Sequence, residues 1–320
     1  MKSLCEAGVI ITDIPHKRCE TERIRVMQKA PLFFKKFWLP TLLLIPSTVL
    51  LFTFFIYPAF SMFLGSFNEI NLFTGSYEFV GTKNYATIFA DDIFIKSFRN
   101  TVVYVISVTA ILVPLSFIAS LLIDCCSKMG SFIRGVLYLP SIIAMSIAAL
   151  LWQFILNPDT GTFSQIMTNF GVRMPNLLGD ARYTLITVVG IGVWRSLGAN
   201  TVLFIAGLKS MSREQLEAAE VDGAKTIQSI IYIIIPNIRH VISFATITTI
   251  IGCFQVFTFI QVFTGGGPNN ATNMLVYRAW EEGFRFFNFG NANAISSLMF
   301  IALFGLAIIM IRVLVKREET

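Results

Sequence analysis

Apolar residues in this chain gather into long runs separated by short polar stretches. A helix rises about 1.5 Å per residue, so crossing a hydrocarbon layer takes about 20 mainly apolar residues. Six runs reach that length: 38–58, 100–123, 132–156, 183–208, 239–263 and 294–315. A bilayer core offers no water to pair with peptide groups, so each run is predicted to be a helix. Pro46 and Pro114 fall inside runs and are tolerated there, because neighbouring helices and water can satisfy the freed carbonyls. The first run begins well into the chain and lacks a small-residue cleavage site, which predicts a retained anchor rather than a signal peptide.

One polar stretch carries its own helix signal. Ser212 and Gln215 have capping-box spacing, in which the hydroxyl accepts from the Gln215 amide and the Gln215 side chain returns to Ser212. Leu216, Glu217, Ala218, Ala219 and Glu220 follow, and Gly223 supplies a C-terminal stop. The paired alanines predict a low-relief surface ringed by Glu217, Glu220 and Asp222. A partner could close over it; a solvated connector would have the same sequence.

Composition agrees with the pattern. Hydrophobic residues make up 55% of 320, charged residues 14%, and mean hydropathy is +0.70. Soluble domains carry about 25% charge, so the fold class is all-α and integral to a membrane, with about six transmembrane helices. The net charge of +6 is scattered over loops, which argues against a nucleic-acid partner. Placing the N-terminus inside puts about 17 lysines and arginines on the inner side and about 7 on the outer, the asymmetry expected of cytoplasmic loops. Both termini and the 212–223 helix are therefore expected to be cytoplasmic.

Candidate chemistry is sparse. The five cysteines form no C-x-x-C pair, and His16 and His240 are far apart in this topology, so no metal site is expected. No G-x-x-x-x-G-K-[ST] occurs, so the chain is not expected to bind ATP in the P-loop manner. A membrane-embedded enzyme would need paired carboxylates or clustered histidines; the acidic residues here read as unpaired loop residues, with Asp91-Asp92 a solvated helix start. A charge inside a membrane span is expensive and marks a functional candidate. Arg195, beside Trp194, is that candidate, as a solute contact or as half of a structural pair.

Four segments, the 212–223 helix and three others, resemble permease subunits of binding-protein-dependent ABC importers of the maltose-transporter type. Glu217-Ala218-Ala219 with Gly223 is similar to their coupling helix. Phe79-Val80-Gly81-Thr82-Lys83-Asn84-Tyr85 resembles the F-x-G-x-x-N-Y segment before the second span. Leu139-Pro140, Trp152 and Asn157-Pro158-x-x-Gly161 look like the third span and its exit, and Thr264-Gly265-Gly266-Gly267-Pro268 resembles the T-x-G-G-P loop after the fifth.

The resemblance runs from about 38 to 315. It divides the chain into a cytosolic N-terminal extension, 1–36, and a transmembrane permease domain, 37–320. A short surface helix over 22–36 is compatible with Ile24, Met27, Phe33 and Phe34. The resemblance implies a type I importer permease that pairs with a second permease, docks two ATP-binding subunits and receives solute from an external binding protein. ATP and magnesium would belong to the partner ATPase, and this chain would hold no cofactor of its own. The implied solute is an oligosaccharide or related carbohydrate, acidic ones included; glycerol phosphate, amino acid or phosphate is the alternative.

Coupling residues implied are Glu217, Ala218, Ala219, Asp222 and Gly223. Solute-path positions implied are Arg195, Ser196, Ala199 and Asn200 on the fourth span and Thr249, Gly252, Cys253 and Val256 on the fifth. Cys253 and Val256 stand where the maltose permease has asparagines, which leaves little amide hydrogen bonding on the fifth span. Phe254 and Phe257 read as packing or as sugar-stacking rings.

Overall fold

The computed structural model describes residues 32–71, 76–125, 129–171 and 175–315. The cytosolic extension expected over 1–36, and the surface helix within it, lie almost wholly outside them. The chain forms two compact units, Met1–Ser61 and Met62–Thr320.

In the first unit, α1 (Leu32–Leu51) passes through a π-helical turn at Phe52–Ile56 into the start of α2 (Tyr57–Gly65). Leu43, Phe54, Phe55 and Tyr57 are all exposed. An apolar helix without a buried face suits lipid or another chain rather than water.

The second unit opens with a hairpin, β1 (Asn68–Asn71) antiparallel to β2 (Ser76–Phe79), with Asn68 opposite Phe79. α3 (Lys83–Ala90) leads into α4 (Asp92–Cys125). Next come α5 (Gly130–Ile142), α6 (Met145–Ile155), α7 (Thr162–Asn169) and α8 (Ala181–Lys209). The short α9 (Arg213–Val221) precedes α10 (Thr226–Ser229), a π-helical turn at Ile230–Ile234 and α11 (Ile235–Asn237). α12 (Arg239–Phe254), α13 (Thr258–Phe263), α14 (Leu275–Trp280), a third π-turn at Glu281–Arg285 and α15 (Phe289–Val315) complete it.

Among the described residues four helices are long and apolar enough to span a membrane, or up to six if each of two bent pairs counts as one span. The bends are where the structure departs from the hydrophobic pattern. The run 132–156 is α5 and α6 meeting at 97°, because Ile143 and Ala144 leave the helical region with ψ 131° and 139°. The fifth run begins earlier than 239: helix starts at Thr226 and turns by 72° before α12. Ile238, at that bend, is buried with Phe204, Ile234 and Ala245. Hydropathy measures apolar length and is blind to where the axis changes direction.

α4 packs along α8, α5 crosses α8, α12 lies against α4, and α13 sits on α6. Their shared core holds Val108, Leu112, Val188, Ile191, Ile260 and Phe263. The α5–α8 crossing is close because position 198 is glycine. A Cβ there would stand 2.0 Å from the Leu137 carbonyl oxygen. Small residues at crossings let helix backbones approach where burial alone drives association weakly, as in lipid.

Candidate functional site

α8 and α12 face each other across a cavity of about 370 Å³. α8 lines it with Arg195, Ser196, Ala199 and Asn200, α12 with Thr249, Gly252 and Cys253, and Val256 follows just beyond the end of α12. All eight residues named as solute-path positions from the family resemblance and helical spacing thus line one cavity. Spacing explains this: residues three and four apart lie on one helical face. The structure adds residues that the sequence reading did not assign: Tyr138 and Ser141 from α5, Tyr104 from α4 and Phe259 from α13. The Ser141 hydroxyl donates to the Arg195 carbonyl oxygen at 2.7 Å, pinning the end of α5 to α8. Trp152 and Trp194 meet edge to face, centroids 5.3 Å apart, and hold α6 beside the same turn.

Phe257 lies outside the lining; its ring packs with Tyr277 and Trp280, centroids 6.2 and 5.8 Å away. Phe254 is also absent from the wall and packs on the core. Both are packing residues here rather than faces offered to a solute.

At the other end of α8, α9 is held from one side. Leu216 packs on the Phe204–Ile234 cluster, and the Asn237 amide donates to Gln215 Oε1 at 3.0 Å. The expected capping box is not formed: Ser212 is the N-cap without a side-chain hydrogen bond, and the Gln215 side chain accepts from Asn237 instead. The C-terminal stop is formed. Gly223 has φ +79°, its amide donates to Glu220 O, and the Ala224 amide donates to Ala219 O, a Schellman closure. Glu217, Ala218, Asp222 and Gly223 are exposed and Ala219 half-buried. Val221 is 88% exposed, an apolar side chain left open beside the paired alanines. A concavity lined by Asp124, Lys209, Leu216, Glu217 and Glu220 opens next to it.

The opposite end of α4 carries a feature that the sequence reading missed. Asp91 accepts from the Ile93 and Phe94 amides, capping α4, and also from Arg278 Nη2 at 2.9 Å. It is a cap and an ion-pair partner rather than a solvated helix start. Arg278 also reaches Glu282, at 2.5 Å, and Glu281, at 3.7 Å. Asn273 and Arg285 donate to Glu281, while Asn288 and Asn291 donate to Glu282. The Arg278, Glu281 and Glu282 side chains are less than a tenth exposed. Burial and the Glu281 charge push the Tyr277 hydroxyl above its ordinary value.

The cluster ties the T-G-G-G-P loop to α4. Asn100 donates to Asn270 O and Asn273 O, Lys96 to Asn269 O, and Thr101 Oγ1 accepts from the Leu275 amide at 3.0 Å. Gly265 and Gly266 hold positive φ in that loop, as a tight turn requires. The signal available in the sequence was Arg278 three and four residues before Glu281 and Glu282, the spacing of helical ion pairs.

A helical membrane unit with a cavity between spans, lined by apolar and polar side chains, and an exposed helix at one end fits a membrane permease. The chain belongs to the family of binding-protein-dependent transport system inner membrane components, whose model matches residues 85–318. It is thus a transport subunit of the inner membrane. It is similar to the sn-glycerol-3-phosphate transport system permease protein UgpA of Agrobacterium fabrum, 30% identical over 280 residues, 87% of this chain and 95% of UgpA. It is 32% identical over 279 residues to the probable ABC transporter permease protein YurN of Bacillus subtilis, covering 86% of this chain and 95% of YurN. A chain of a bacterial alginate ABC transporter, solved with an alginate pentasaccharide-bound periplasmic protein, shares the fold. Its TM-score is 0.77 at 19% identity, over 86% of this chain and 93% of that one.

Proposed function

We propose that this chain forms, with a second permease, the translocation path for a carbohydrate or related polyol. An external binding protein delivers the solute, and two separate ATP-binding subunits dock from the cytosol. The observation carrying this reading is the convergence of eight spaced residues of the fourth and fifth spans on one cavity, with α9 exposed beyond α8. Similarity to permeases of sn-glycerol-3-phosphate and alginate systems supports the solute class. Both termini are placed in the cytoplasm by the lysine and arginine asymmetry, residues 1–36 being a cytosolic extension of the 37–320 permease domain. Glu217, Ala218, Ala219, Asp222 and Gly223 form the docking surface. ATP-driven closure of the ATPase pair would pull α9 and tilt the spans, switching the side from which the cavity opens.

The test is reconstitution of the permease pair, ATPase and binding protein in liposomes. Carbohydrate or polyol uptake should require ATP. Gly223→Leu forces a β-carbon onto a left-handed residue and should leave the complex assembled while abolishing uptake. Uptake at the wild-type rate by an assembled Gly223→Leu complex would remove the coupling role.

A further inference from the structure

A second cavity, of about 300 Å³, opens between the hairpin, α3 and the start of α15, and shares no residue with the first. Its wall carries three asparagines whose orientation is forced by chemistry. Asn288 and Asn291 each donate Nδ2 to Glu282 Oε2, at 3.1 and 3.2 Å, and an ionised carboxylate can only accept. Asn84, 6% exposed, donates Nδ2 to the Ser66 and Asn68 carbonyl oxygens, at 2.8 and 3.1 Å. Turning any of these amides over would set oxygen against oxygen, so Oδ1 is the free end in each. Among the described residues none of the three Oδ1 atoms accepts a hydrogen bond. The set is rigid. Glu282 is itself buried against Arg278, and Asn84 is held close under position 290, where a Cβ would stand 2.6 Å from its Nδ2. Acceptors fixed in advance lose little freedom when a ligand arrives.

The rest of the wall selects that ligand. Its charged residues, Glu69 and Lys83, pair at 2.9 Å, so the acid opposes an anion and the amine opposes a cation. Phe287, on the same wall, is 56% exposed and sits at φ +61°. That conformation is costly for a bulky residue and is a mark of a functional position. Three fixed acceptors, no net charge and an open aromatic ring suit neutral hydroxyls, which donate, on a carbon skeleton that lies against the ring. We propose that this cavity is a second, external carbohydrate site, holding one sugar unit or short polyol by its hydroxyls before the solute enters the spans. It rests on the orientation and solute class proposed above and adds a site to them. Its volume lies at the lower end of the roughly 300–1,000 Å³ usual for small-molecule sites, which limits it to about one sugar ring.

The complete transporter in lipid nanodiscs, with 4-trifluoromethylphenylalanine in place of Phe287, lets fluorine NMR read the ring directly. Glycerol, glucose, galactose and xylose are titrated, with gluconate, methylguanidinium and N-acetylserine amide as anionic, cationic and peptide contrasts. At least one neutral polyol should shift the signal saturably. Asn291→Ala, which removes one acceptor, should weaken that binding about tenfold. Thr87→Tyr fills the cavity from an exposed helical position and should weaken it at least as much. Thr249→Val, on the wall of the other cavity, should leave it unchanged. Phe287→Asn keeps a residue that tolerates positive φ but removes the ring; it should raise the KM for uptake of the same sugar about three- to tenfold with the maximal rate kept. No saturable shift from any neutral polyol overturns the proposal, as does one that Thr87→Tyr leaves unchanged. Tighter binding of a contrast compound than of every polyol overturns the carbohydrate assignment. A wild-type KM in assembled Phe287→Asn overturns its part in uptake. None of these results touches the permease reading, which falls only if the wild type shows no ATP-dependent carbohydrate or polyol uptake.

Discussion

Replacing Arg278 by methionine would leave the carboxylates of Asp91, Glu281 and Glu282 packed around an uncharged side chain. In the native cluster each lies within 4 Å of the guanidinium, and the Glu281 and Glu282 side chains are 8% and 7% exposed. Arg285 still reaches Glu281 at 3.1 Å, but it is 60% exposed and screens only that one. Removing one partner of a buried ion pair is destabilising by about 3–5 kcal/mol, because the remaining charge stays buried and unpaired. The perturbation should act locally, on the segment that the cluster ties to α4. At about 1.4 kcal/mol per decade, amides that exchange through opening of this segment should exchange about a hundredfold to a few thousandfold faster.

The informative amides are those of Leu275, which donates to Thr101, and Asn288, which donates to Glu282 O. Hydrogen exchange with mass spectrometry on the purified transporter reads both, and α8 amides serve as an internal reference. Adding Glu282→Gln to Arg278→Met removes one of the stranded charges and should restore part of the protection, a coupling visible in a double-mutant cycle. Exchange at Leu275 and Asn288 within threefold of wild type in Arg278→Met would refute the reasoning and show that the cluster holds nothing in place.

Three further outcomes follow from the geometry. Gly198→Ala places a methyl against the Leu137 carbonyl and the Tyr138 Cα, at 2.0 and 2.6 Å. It should destabilise the α5–α8 crossing by about 1–3 kcal/mol, seen as a lower melting midpoint; an unchanged midpoint counts against so tight a crossing. Thr101→Val keeps the shape but strands the buried Leu275 amide, costing about 1–3 kcal/mol; exchange should accelerate at Leu275 and stay unchanged within α8. Single cysteines at Lys83 or Asn176 should react with an impermeant maleimide from outside intact cells, and one at Lys225 should not. External labelling at 225 would reverse the orientation and remove α9 from the cytosol.

The apolar runs by themselves determined that the chain is a bundle of membrane helices, because lipid leaves the backbone no other way to pair its polar groups. Helical spacing put Arg195 and Ala199 on one face of the fourth span and Thr249 and Cys253 on one face of the fifth, and the family resemblance, not the apolar pattern, paired the two faces. Gly223 was legible as a helix stop because a positive φ demands glycine. Long-range geometry decided the rest. The bends at Ile143–Ala144 and Ile238 depend on what the helices pack against, and tertiary packing sets Tyr138, Ser141 and Phe259 on the cavity wall. The Ser212–Gln215 capping box is absent, and the glutamine side chain instead meets Asn237, 22 residues on. Asp91 and Arg278 stand 187 residues apart; local pattern shows each as a loop charge, and only the packing of α14 onto α4 makes them an ion pair. Local periodicity reports which face of a helix is apolar, and tertiary packing decides what that face and its polar neighbours meet.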